Sequence, residues 1–257
     1  MQYLEKTDPD ALKTAKEAFR CFEPFRKGEG SDYARASQFV PELCQQEVIS
    51  LLKKIQEKSA SYNSDQENVF SAGQNARIAV NAEKYYRAMI QGGSHSWNVR
   101  DRHMADTLDD LLAFHGQNSK VIVWEHNTHI GDSRATDMTD EGMYNIGELV
   151  RMKYQKDGVV LVGFGSYKGS VIAGRSWGAP MQVMNLPEAV KNSWEYLLHS
   201  AGAGDRLVLM DDLVNRDMFM ENHIGHRAVG VVYNPLNEAF GNYVPSILPL
   251  RYDAFIH

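Results

Sequence analysis

Apolar residues recur at helical spacing through the first half of the chain and in short runs through the second. Val48, Leu51, Leu52 and Ile55 stand at i, i+3, i+4 and i+7, the clearest single-face stripe of an amphipathic helix. Two more helices are predicted by Ile78, Ala82, Tyr85, Tyr86 and Met89, and by Met104, Leu108, Leu111, Leu112 and His115, the latter stopped by Gly116 as a C-cap. An earlier helix opens at Asp8-Pro9-Asp10, where proline suits a first-turn position and acids suit the positive end of the helix dipole. Leu12, Ala15 and Phe19 are expected on its inner face, with Pro24 and the Gly28–Gly30 turn ending it.

From Val121 the texture changes. Short apolar runs at 121–124, 159–163, 170–173, 206–210 and 226–233 have strand length and are punctuated by glycine. Met143, Ile146, Val150 and Tyr154 keep helical spacing between the first two, giving a strand-helix-strand unit long enough for a parallel crossover. A helix is expected around Trp194 to His199, and Tyr243 to Ile256 reads as an edge strand because Pro245 and Pro249 interrupt it. The expected fold is α/β, a largely parallel sheet with flanking helices behind a helical first half. Without repeats or a low-complexity linker, residues 1–257 read as a single domain.

The apolar run at Val121-Ile122-Val123-Trp124 leads straight into Glu125-His126-Asn127-Thr128-His129-Ile130-Gly131-Asp132. A core strand that delivers polar groups at its carboxyl end is the usual ligand-binding position of an open α/β sheet. His126 and His129 are candidate general base and acid for hydrolysis, because imidazole titrates nearest neutrality. On a continued strand they would point to opposite faces, so their cooperation requires a turn at Asn127. The plain reading is two polar residues bonded to loop backbone; the flanking Glu125 and Asp132 tilt the balance towards a site. His126, His129 and Asp132 are also spaced to line one side of a helical turn as ligands of a divalent metal, an alternative weakened by the lack of an assignable distant ligand. His223 and His226 repeat the three-residue spacing near another strand and could approach the same crevice, though they read first as loop residues leading into the 226–233 strand.

Arg100 offers a rigid fork of donors for a carboxylate or oxyanion, and Asp101 a partner to orient a base. Asn98 as a helix N-cap and Asp101 as a first-turn acid explain two of these residues without any ligand. Arg134 is a further candidate on the loop after Gly131.

Composition removes several classes. Apolar residues make 43% of the 257 and charged residues 23%, ordinary globular usage, and a net charge of -6 supplies no basic footprint for nucleic acid. No apolar run reaches membrane-spanning length and the N-terminus lacks signal-peptide order. Cys21 and Cys44 are too few for a disulfide framework or a thiolate metal cage, which fits a reducing, cytoplasmic setting. No cofactor is called for: Gly163-Phe164-Gly165-Ser166 is neither a Gly-x-Ser-x-Gly nucleophile elbow nor a dinucleotide fingerprint, since a strand rather than a helix is predicted after it.

Blocks along nearly the whole chain resemble the erythromycin esterase family of hydrolases. They are Asn75-Ala76-Arg77, Asn81 to Arg87, Ser96 to Asp101, Trp124 to Asp132, Asn145-Ile146-Gly147, Gly163 to Ser166, Ser176 to Pro180, Tyr233, Asn242-Tyr243 and Arg251 to Ala254. The resemblance implies histidine-activated attack of water on a macrolide lactone or a related ester, hence macrolide resistance as one setting. It aligns His126 and His129 with the family's second histidine pair. It also implies a principal catalytic histidine on a Gly-Glu-x-x-His-Gly segment near the N-terminus, for which these residues hold no counterpart, so the chain is expected to be the C-terminal portion of an incomplete domain. Exposed sheet edges then predict self-association or a complementing N-terminal chain as partner. Three readings stay open: an ester hydrolase acting on a small molecule, a catalytically inactive ligand-binding remnant, and a metal-dependent hydrolase built on His126, His129 and Asp132.

Overall fold

The computed structural model describes residues 1–28, 30–40, 42–62, 65–116, 118–155, 158–202, 204–213 and 216–257; Glu29 of the expected 28–30 turn lies outside them. The chain forms two compact units, Met1–Val121 and Ile122–His257.

The first unit is helical: α1 (Gln2–Thr7), α2 (Pro9–Phe22), α3 (Ser31–Ser37), α4 (Gln45–Lys58), α5 (Gln66–Ala88) and α6 (His95–His115). The Asp8 side chain caps α2 by accepting from the Ala11 N–H at 2.9 Å. Val48, Leu51 and Ile55 of α4 are buried as their spacing requires, against Ala11, Ala15 and Ala18 of α2 and Ala76 and Val80 of α5. Phe19 and Ile78, expected inward, are half exposed instead. The row of alanines is narrow enough for close helix approach, so the buried stripe of α2 shifts onto Ala18 and Phe19 turns out. Asn98 is not the N-cap of α6: the cap position is Ser94, four residues earlier, and the helix ends at Gly116, whose φ of 90° suits glycine. Cys21, in the last turn of α2, is bonded to Cys44, the residue before α4, with their Cα atoms 5.8 Å apart. That disulfide runs against the reading of two cysteines as reduced thiols.

The second unit runs α7 (Asn127–Ile130), α8 (Ile146–Tyr154), β1 (Val162–Phe164), β2 (Gly169–Ala173), β3 (Gln182–Leu186), α9 (Trp194–Ser200), β4 (Leu207–Leu209), α10 (Arg216–Phe219), β5 (Ile224–Arg227), α11 (Glu238–Gly241), β6 (Tyr243–Ser246), α12 (Leu248–Arg251) and β7 (Ala254–Ile256). Three strands form a sheet in the order β1-β7-β4, while β2-β3 and β5-β6 are separate antiparallel pairs. The mixed helix-and-sheet class is the expected one, with parallel pairing among the described residues found between β1 and β7 and at the single bridge Gly174–Val232. Its core gathers Leu161, Trp194, Leu198, Met210, Leu248, Tyr252 and Phe255.

Three strand assignments change. Residues 121–124 form no strand, and Ile122 and Trp124 are 91% and 81% exposed. A β-prone run becomes a strand only where a partner and a buried face exist; here the Asn127 side chain, not a neighbouring strand, bonds the backbone of β1 at Phe164. The strand expected over 226–233 is β5, shifted to begin at Ile224. The tail is not one edge strand: Pro249 starts α12, and β7 beyond it is the middle strand of its sheet.

Candidate functional site

The polar run after Trp124 folds as the turn that cooperation of its histidines requires. His126 is the extended N-cap of α7, and its Nδ1 accepts from the Thr128 N–H at 3.3 Å and lies 2.9 Å from Thr128 Oγ1. Its Nε2 is 2.8 Å from the Val229 carbonyl, which can only accept, so the neutral ring is the Nε2–H tautomer with its lone pair on Nδ1. Partial burial holds the His126 pKa below the usual histidine value; the Val229 bond opposes this, and His129 and Arg251 add to it. His129 follows one turn later and is half-buried.

Three anchors fix that turn. The buried Asn145 donates through Nδ2 to the carbonyls of Thr128 at 2.8 Å and Gly131 at 2.6 Å, and its Oδ1 caps α8 by accepting from Glu148 N–H at 2.9 Å. Asn127 clamps Phe164, donating from Nδ2 to its carbonyl at 2.5 Å and accepting its N–H at 3.1 Å. The Asn127 carbonyl faces donors from Arg251 and Tyr252, each at 3.3 Å. Gly147 permits the close fit, because a Cβ there would stand 2.3 Å from the Ile130 carbonyl oxygen.

The other predicted residues divide. Glu125 is half-buried at the start of the turn. Asp132 is buried, and both its oxygens bind Arg134, at 3.0 and 2.7 Å, with Arg151 3.6 Å away. Asp132 and Arg134 thus brace the loop after α7. Among the described residues no three His, Cys, Asp or Glu side chains are grouped as metal ligands. Asp101, fully buried on α6, and Arg100, whose guanidinium lies 5.1 Å over the Trp97 ring, belong to the first unit.

One pair escaped the sequence. His226 is fully buried inside β5, not in a loop, and its Nδ1 is 2.6 Å from Glu195 Oε1 at the start of α9. Its Nε2 faces Tyr252 Oη at 3.4 Å and Asn127 Nδ2 at 3.5 Å. Burial depresses the His226 pKa against the pull of Glu195. Burial works against the Glu195 carboxylate as well, yet the N–H groups of His226 and Arg227 keep its pKa low. No sequence signal joined residues 31 apart; β5 buries both of its last two residues, His226 and Arg227, so no in-and-out alternation marks the histidine as inward.

A family model described as erythromycin esterase matches residues 1–257. Among solved structures, a Bacillus cereus protein superposes with a TM-score of 0.77 at 15% identity, over 99% of this chain and 60% of its own. A mutant of the erythromycin esterase EreC in its open conformation superposes with a TM-score of 0.68 at 13% identity, over 99% of this chain and 62% of its own. At these identities the likeness shows the fold, and this chain spans about 60% of the length of both structures.

Proposed function

The chain belongs to the erythromycin esterase family, and we propose that it takes part in hydrolysis of a carboxylic ester, with a macrolide lactone as the reference substrate and a histidine activating the water. The observation that carries the reading is the α7 turn, which presents His126 and His129 one turn apart with the His126 ring neutral and its lone pair on Nδ1. In this reading the Thr128 hydroxyl swings off Nδ1 and water takes its place. As water adds to the ester carbonyl, Nδ1 accepts its proton. Collapse of the tetrahedral intermediate breaks the acyl–oxygen bond, and the leaving alkoxide takes a proton back from the imidazolium or from His129. Glu125 supports the turn, whereas Asp132 and Arg134 shape the loop behind it. Arg100 and Asp101 receive no step.

Retention of ligand without turnover is the second reading, favoured because both ring nitrogens of His126 are engaged. The test is incubation of the purified chain with a macrolide lactone and with a small activated ester, alongside calorimetric titration of the lactone. Release of the ring-opened acid supports hydrolysis. Binding without release replaces it with the second reading, and neither binding nor release rejects both.

A further inference from the structure

The Glu195–His226 pair is fully buried and has no step in the reaction just described. We propose that it is a positioning device: Glu195 fixes the ring of His226 so that its bare Nε2 seats Asn127 and Tyr252, from which the turn bearing His126 and His129 is held. The proposal rests on the reading of that turn as the hydrolytic site.

Hydrogen-bond bookkeeping carries the argument. Glu195 Oε1 accepts from the Arg227 backbone N–H at 3.0 Å and faces His226 Nδ1 at 2.6 Å, so Nδ1 carries the hydrogen. The lone pair then sits on Nε2, the opposite tautomer to His126. Asn127 Nδ2, whose other hydrogen goes to Phe164, faces it, and so does the Tyr252 hydroxyl, kept protonated by a pKa that burial pushes up to about 12 and sharing its one hydrogen between Nε2 and the Asn127 carbonyl. A second hydrogen on Nε2 would confront the Asn127 amide donor.

Charge points the same way. The groups that face His226 are Glu195 from α9, Arg251 at the end of α12, His126 at the start of α7 and the Tyr252 hydroxyl, with the Phe255 ring of β7 against its edge. Arg251, itself fully buried, adds a positive charge that weighs against an imidazolium at His226. Burying a carboxylate and an imidazole where an aromatic ring would fit is costly in desolvation. The bonds that justify the cost lead to Asn127, the residue between His126 and Thr128. A displacement of Asn127 moves both histidines of the turn.

The experiment is nitrogen-15 NMR of the histidine rings across pH 5–8 in the wild-type chain, E195Q and Y252F, together with ester turnover. The expected wild-type spectrum has His226 bearing hydrogen on Nδ1 and His126 on Nε2. In E195Q the His226 ring is expected to leave that tautomer, and the His126 titration to move by about half a unit or more. Turnover is expected to fall about tenfold in kcat with KM little changed, as for other outer-shell partners. Should E195Q fail to fold, Y252F removes the hydroxyl that faces both Nε2 and the Asn127 carbonyl and must move the His126 titration on its own. A folded variant with an unmoved His126 titration overturns the proposal. A wild-type chain that shows the tautomers and their coupling yet turns over no ester overturns the hydrolytic reading alone.

Discussion

Asn145 illustrates what one amide does at the residue scale. It bonds two carbonyls of the α7 loop and caps α8, all from a buried position. N145A removes a cap and strands two acceptors, and is expected to cost about 2–4 kcal/mol; an unchanged denaturant midpoint would contradict this account of the loop. His226 supplies a pH prediction. Its folded pKa lies below the ordinary 6.5, so just beneath that value the unfolded chain holds more protons than the folded one. Stability contributed by the neutral ring is therefore present above pH 6.5 and lost as pH falls from there towards the folded pKa. His103, His126 and His257 share the direction, so the check is the difference between wild type and H226Q, whose melting temperature should fall less between pH 7 and 5. Equal falls would count against a neutral buried His226. At this scale the sequence carried the histidine pair of the turn, because adjacent spacing is local. It did not carry Glu195 with His226, or Asn145 with Thr128 and Gly131, because those distances are set by strand pairing and loop closure. His226 also follows a glycine and sits near Asn222, chemistry that reads as a turn.

At the scale of elements, the long helices were legible and the short strands were not. The α4 stripe keeps its period over two turns, enough to show its buried face. By contrast β1, β4 and β7 are three residues each, too short for any alternation to register. Exposed Ile122 to Trp124 mark the opposite error, a strand composition without a partner. The disulfide between the end of α2 and the start of α4 was invisible for a similar reason, since a separation of 23 residues says nothing of proximity. Closing such a loop contributes about 3 kcal/mol. Reduction, or the C21S/C44S double variant, should lower the calorimetric melting temperature and expose two thiols to alkylation. A protein alkylated without prior reduction would show that the bridge is not formed.

At the scale of the molecule, apolar side chains remain on the surface of the second unit. Ile172 and Val183 are cross-strand partners on the outer face of the β2-β3 pair, and Trp124, Trp177 and Phe240 are exposed as well. Surfaces of this kind mark association sites, so sedimentation should show mass increasing with protein concentration; a monomer at every concentration would remove self-association from the account. No described helix is long and apolar enough to cross a membrane. The central claim is that the α7 turn is where ester chemistry takes place. The most direct measurement is turnover of an activated ester by the purified wild-type chain beside H126A and H129A, each shown to be folded by a cooperative melt. Loss of about a hundredfold or more in kcat/KM in H126A, with the acid limb of the wild-type profile below pH 6.5, is the predicted result. Wild-type turnover that survives both substitutions would place the chemistry elsewhere and contradict the account.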